Sequence, residues 1–284
     1  MHLTKARQLL AHIAALALAA AACAEDRAPN AGLAAARDRE TALRLRSASG
    51  AEWRELGGTF AALAEKNPGD CSVRNGYGEF LWSRDERERA AAEWRAAEKI
   101  EPANVIVLNH LGEAQLAASD PRGAMHYFQR ATVAAPADAL SHFNLANLVF
   151  IFRRDVTASD DAGFALALTH FAEASRLAPK NAEFARAYAE TFYSMPTPDW
   201  PTAIGAWRHF MEISPRKDFA WANLARIHLN LRQKPEAMGC LKMIDGKEFD
   251  RLKERLTIRI RALPDPGPAV TSPKPGIDDD SPAP

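Results

Sequence analysis

Little in this chain of 284 residues announces chemistry. It holds three cysteines, too few for a disulfide framework, and no Cys-x-x-Cys pair. No His-Glu-x-x-His zinc motif, no glycine-rich phosphate loop and no Gly-x-Ser-x-Gly nucleophile elbow is present. The histidines beyond residue 22 are His110, His126, His142, His170, His209 and His228, and no two stand at metal-ligand spacing on one helix. No enzyme, no resident metal and no cofactor is therefore expected. Neither sign of charge prevails, since 36 Lys and Arg balance 36 Asp and Glu. Without a basic excess there is nothing for nucleic acid to hold. Long apolar runs are missing too. The longest, Leu9 to Ala22, apolar apart from His12, is well short of the roughly 20 residues that span a bilayer.

That run follows Lys5 and Arg7 and ends in Ala20-Ala21-Ala22, the layout of a secretory signal over 1–22. Cys23 comes directly after it. The segment resembles a bacterial lipoprotein signal, although Ala20 stands where such signals usually carry Leu. Two readings stay open: lipidation of Cys23, for which Ala24 implies outer-membrane anchoring by analogy, or ordinary cleavage. Both imply export to the periplasm. Removing the signal takes two basic residues, leaving 34 against 36 acidic ones, a net of −2. Residues 23–36 read as a linker, rich in Ala and interrupted by Pro29 and Gly32.

What the chain does have is a repeat. Tyr77, Gly78, Ala90, Trp94, Ala97 and Pro102 are followed at the same offsets by Leu111, Gly112, Ala124, Phe128, Ala131 and Pro136. The order recurs in Leu145, Ala146, Ala167, Phe171, Ala174 and Pro179, and again in Tyr188, Ala189, Ala203, Trp207 and Pro215. Trp221, Leu224, Ala225, Ala237 and Leu241 make a fifth copy. Pro68, Pro102 and Pro136 are 34 residues apart; the next intervals, 43 and 36, contain insertions of nine and two. A 34-residue period of small residue, Ala, aromatic, Ala and Pro is that of a helix–turn–helix repeat. Small residues on both helices let their axes approach to the lower end of about 8–10 Å, and each Pro ends a second helix. Asp120-Pro121, Pro201 and Pro235 mark starts of second helices.

This pattern resembles the tetratricopeptide repeat (TPR) family over roughly 69–246. The resemblance implies an all-α fold, a right-handed superhelical solenoid of antiparallel helix pairs that binds a protein or peptide rather than catalysing a reaction. Residues 37–68 then read as a degenerate leading repeat or cap, with Trp53, Leu56, Phe60 and Leu63 as its apolar stripe. Residues 247–263 read as a capping helix, and 264–284, rich in Pro and carrying Asp278-Asp279-Asp280, as a tail without a core. Cys71 and Cys240 fall four repeats apart, too far to bridge, and read as small apolar positions.

The resemblance also implies that the first helices line a concave groove. The residues it puts there are Asn75, Glu79 and Trp82, then Asn109, Glu113 and Leu116, then Phe143, Asn144, Asn147 and Phe150. Arg186, Glu190 and Tyr193 follow, then Asn223, Arg226 and Asn230. Asparagines on such a ladder offer donor and acceptor to an extended peptide, and aromatics add rigid contact area. Only Arg186 and Arg226 are basic, so a clamp on a C-terminal carboxylate is not expected. The leading expectation is an assembly adaptor or scaffold of the bacterial envelope. The alternative is an accessory subunit of a cell-wall enzyme touching glycan through Trp82 and Tyr193. The insertions Arg153 to Gly163 and Met195 to Asp199 read as loops on one edge. Phe164 and Trp200 are expected to pack, and Asp160 and Asp161 to be solvated.

Overall fold

The computed structural model describes residues 30–264 apart from Ser47. The expected signal, Cys23, the first half of the linker and the Pro/Asp tail from residue 265 lie outside the described residues. Within them there are thirteen α-helices and no strand. In order, α1 is Ala31–Arg44, α2 Gly50–Lys66, α3 Cys71–Ser83, α4 Arg87–Ile100, α5 Val105–Ala117, α6 Pro121–Ala134 and α7 Ala139–Val156. Then come α8 Asp160–Leu177, α9 Ala182–Thr191, α10 Trp200–Ile213, α11 Lys217–Asn230, α12 Lys234–Lys242 and α13 Asp250–Arg261. The chain divides into two compact units, one up to Pro198 and one from Asp199.

In the first unit each helix packs against the next, from α1 to α9. The frame alanines Ala90, Ala124 and Ala167 are wholly buried, as are Ala97, Ala131 and Ala174. Trp94, Phe128 and Phe171 are at most 1% exposed. The glycines have a more specific partner than the facing alanine. A Cβ added at Gly78 would run into the Trp94 ring, and one at Gly112 into the Phe128 ring. Gly78 and Gly112 are therefore the seats of their own repeats' aromatics. Trp94 reaches the following repeat too, stacking on His110 with ring centres 4.7 Å apart.

The turns are built alike. Asp70, Asn104, Asp138 and Asn181, each two residues past a closing Pro, cap α3, α5, α7 and α9 through side-chain oxygens. Asp85 and Ser119 take left-handed backbone (φ 63° and 62°) just after α3 and α5. Glu86 N–H returns to Leu81 O, and Asp120 N–H to Gln115 O, closing each helix end. Asp120 also caps α6, with Pro121 at its first position.

Where the nine-residue insertion enters, this turn is gone. The insertion is not a loop. It lengthens both helices of the third repeat, so that α7 and α8 each run to 18 residues, with a kink at Phe152 in α7. Asp160, expected to be solvated, opens α8 and is held by Arg154 (2.8 Å) and Arg153 (3.0 Å), which keeps its carboxyl below the usual range. Phe164 is buried, with the Arg153 guanidinium 4.4 Å from its ring centre. The leading pair also differs from expectation. It begins at Ala31, six residues ahead of Arg37, because Asn30 caps the helix through Gly32 and Leu33 N–H. Ser49 and Glu52 form a capping box on α2, whose Leu56 and Phe60 are fully buried.

In the second unit, α10 packs on α11 and α11 on α12, around Ala203, Trp207, Ala225, Ala237 and Leu241. Arg232 takes the left-handed turn here (φ 58°). The helix α13 lies on α11 and α12 through buried Leu256 and Ile260, and Lys253 Nζ donates to Ile244 O at 2.6 Å. No described helix is long and apolar enough to cross a membrane.

Candidate functional site

The polar residues expected to line a groove fall into two groups, those that the fold consumes and those that it leaves in reach. Asn109 and Asn144 belong to the first. Asn109 Nδ2 donates to Ser141 Oγ (2.8 Å) and Val105 O (3.0 Å), while its Oδ1 accepts from Asn144 Nδ2 at 3.0 Å. Asn144 is 0% exposed and Ser141 is buried with it. The expectation that Asn109 and Asn144 contact a ligand is thus corrected: they tie α5 to α7. Phe143 is corrected too. It is buried against Phe171 of α8 (ring centres 5.8 Å apart) and Phe184 of α9 (4.5 Å), so it packs between repeats.

A second network joins α1, α3 and α5. Arg37 Nη2 meets Glu79 Oε2 at 2.7 Å, and Asn75 Nδ2 donates to Glu79 Oε1 at 2.9 Å. Asn75 Oδ1 is 2.9 Å from His110 Nδ1, which makes that nitrogen the donor and leaves Nε2 unprotonated. Burial between Trp94 and these groups lowers the His110 pKa, so the ring is neutral at pH 7. Trp82 lies beside Trp94 (5.2 Å) and carries the Arg87 guanidinium on its face at 3.9 Å. With that face covered by Arg87, a stacking contact from Trp82 to a sugar is disfavoured.

Glu113 stands apart. It is 3% exposed, yet its carboxyl has no hydrogen-bond or ion-pair partner among the described residues. Burial, reinforced by the Glu79 carboxylate and only partly offset by Arg87, pushes its pKa up to about 8. It is therefore a neutral acid at pH 7. One repeat on, at the equivalent position of α7, half-buried Asn147 leaves its amide nitrogen without a hydrogen-bond partner among the described residues. One more repeat on is Glu190 of α9, which with Glu183 holds Arg186 (both 3.1 Å). Tyr193 is half-buried in a short 3-10 turn, Phe192–Ser194, after α9. The column Glu79, Glu113, Asn147 and Glu190 is thus a polar stripe over four successive first helices of the first unit.

In the second unit, Asn223 is buried and donates to Phe219 O at 2.9 Å, and exposed Arg226 reaches Asn223 Oδ1 at 3.3 Å. Asn230 is exposed at the end of α11.

Three features have no precedent in the sequence reading. His142 of α7 and His170 of α8 meet Nδ1 to Nδ1 at 2.8 Å, with His142 Nε2 on Pro136 O at 3.1 Å. His142 donates through Nε2 and accepts from His170. Two surface crevices of about 430 and 390 Å³ lie beside the lengthened end of α7. Leu116 and Phe152 line the larger, Met125 and Val156 the smaller, and Arg122, donating to Asp155 O at 2.8 Å, stands in both. Among the described residues no three His, Cys, Asp or Glu side chains are placed to hold a metal ion.

No protein-family model matches the chain, and no curated protein matches it in sequence. Solved structures do match it. YrrB, described as a TPR protein with an unusual peptide-binding site, superposes with a TM-score of 0.57 at 18% identity, over 69% of this chain and 96% of that one. Pseudomonas aeruginosa pilF superposes equally well, at 0.57 and 14% identity, over 81% of this chain and 97% of that one. The fold is a TPR fold. At these identities the TPR likeness carries the architecture alone. It agrees with the glycine seats, alanine contacts and proline-terminated second helices already described.

Proposed function

We propose that this protein is a non-enzymatic interaction scaffold whose first-helix face receives a peptide segment of a partner protein. The observation that carries this reading is the polar column Glu79, Glu113, Asn147 and Glu190, one residue per repeat over four helices. A column with a fixed step suits a ligand that is itself extended and periodic, such as a polypeptide backbone. The TPR architecture, and its similarity to a protein described as having a peptide-binding site, support the same reading. Its place of action is the bacterial envelope, as residues 1–22 suggest, with Cys23 as the candidate lipid anchor.

Two experiments test it. The first is a crosslinked pull-down from envelope extract with the intact chain and with Asn147→Ala/Arg186→Ala, both showing the same helical spectrum. A partner recovered by the former and lost by the latter supports the scaffold; recovery by both puts the contact elsewhere. The second compares intact mass and membrane fraction of the exported chain with those of Cys23→Ala. Identical values in both would remove the anchor from the proposal.

A further inference from the structure

The least economical group in the fold is the Glu113 carboxyl. A carboxyl that is nine-tenths buried and has no hydrogen-bond partner is a cost that an apolar residue would avoid. Its setting defines what it can offer. The charged groups that act on it are Glu79 of α3, which disfavours ionisation, and Arg87 of α4, which favours it less strongly. Arg87 is already engaged on the face of Trp82 and with Asp85 at 2.7 Å. Arg37 of α1 is spoken for by Glu79, and His110 on the same helix is neutral. On α6 the aromatic Phe128 faces this turn, at Gly112, and α7 brings the uncharged Asn144 and Asn147. A cation entering here would meet Arg87. A ligand acceptor would meet an O–H donor, with the Asn147 amide nitrogen as a second donor one repeat away.

We propose, resting on the scaffold reading above, that Glu113 acts as a hydrogen-bond donor to a carbonyl oxygen of an extended, locally uncharged stretch of partner backbone, with Asn147 serving the next acceptor along. Glu113 is then a specificity-determining residue. It admits a neutral acceptor and turns away an acidic side chain once its proton is lost. Binding is linked to pH: the competent form is the protonated one, whose population falls as pH rises through about 8. The wild-type affinity should fall about tenfold between pH 7 and pH 9. Glutamine keeps a donor of the same shape and does not titrate.

The test uses a dodecapeptide selected from a random library on the immobilised full-length chain at pH 6.5. Its affinity is measured by calorimetry from pH 6.5 to 9 for the wild type, Glu113→Gln and Asn147→Ala/Arg186→Ala. The expected result is weaker binding by the double variant, the tenfold decline with pH in the wild type, and a flat profile in Glu113→Gln with affinity at pH 7 kept within about threefold. If the double variant binds less well but Glu113→Gln loses affinity at pH 7, or wild-type affinity rises with pH, the site takes a cation and the inference is wrong. A flat wild-type profile also overturns it, with the scaffold reading intact. If the double variant binds as well as the wild type, the peptide is held elsewhere, and this inference fails together with the scaffold reading.

Discussion

Replacing Glu113 with glutamine should stabilise the protein, and by an amount that depends on pH. The folded chain holds this carboxyl at about 8, whereas an exposed glutamate titrates near 4.5. The folded state thus keeps a proton that the unfolded state releases. Stability from this group is fully present below 4.5 and is lost steadily as pH rises to 8, beyond which the loss levels off. Each pH unit well inside that window costs about 1.4 kcal/mol, and the slope halves at pH 8, so the wild type should lose about 2 kcal/mol between pH 6 and pH 8. Glutamine has no such loss, and every other titrating group is common to both proteins. Urea unfolding followed by circular dichroism, at matched ionic strength, gives the difference between the two at each pH. The gain from Glu113→Gln should grow by about 2 kcal/mol from pH 6 to pH 8. A difference that stays constant over that range would falsify the claim that the carboxyl is buried as a neutral acid.

Four other outcomes follow from the same geometry. Gly112→Ala should cost about 1–3 kcal/mol because its methyl meets a Phe128 ring with no room to retreat, while Gly58→Ala, with nothing within 4 Å, should gain up to about 1 kcal/mol, both read from urea unfolding. Ser119→Gly should raise stability by about 1 kcal/mol by relieving the left-handed backbone, and a loss in the urea midpoint would show that the Ser119 side chain matters. Asn109→Ala leaves the Asn144 amide without its acceptor and should cost about 1–3 kcal/mol; unchanged stability would return these asparagines to the ligand. Burial pushes the Cys71 thiol up to about 12, so iodoacetamide at pH 8 should label it only once denaturant is added, as mass spectrometry can follow.

The repeat frame was legible because it is written in residue types that each have one mechanical job. Proline ends a helix, alanine permits close approach, and a glycine in the first helix leaves room for a ring. The Asx caps are equally visible, two residues past each proline at Asp70, Asn104, Asp138 and Asn181. The insertion misled because Thr157, Ala158 and Ser159 look like loop and hide that Ser159 caps a longer α8. Most of the misplacement lies on the first-helix face. Whether Asn109, Phe143 and Asn144 meet a ligand or a neighbouring helix depends on how consecutive repeats cross, and no offset within one repeat carries that. The His142–His170 contact is of the same kind, since the residues are 28 apart and belong to different helices. No offset within one repeat carries a sign that the Glu113 carboxyl is unpaired, because its isolation depends on where Glu79 and Arg87 settle.

The claim at the centre of this account is that a partner lies along the first helices. Photo-crosslinking tests it most directly, with p-benzoylphenylalanine placed in turn at Asn147 of α7 and at Val133 of α6, which is 79% exposed. The account predicts a partner adduct from position 147, mapped by mass spectrometry to one continuous peptide, and none from position 133. An adduct from position 133 with none from position 147 would contradict it.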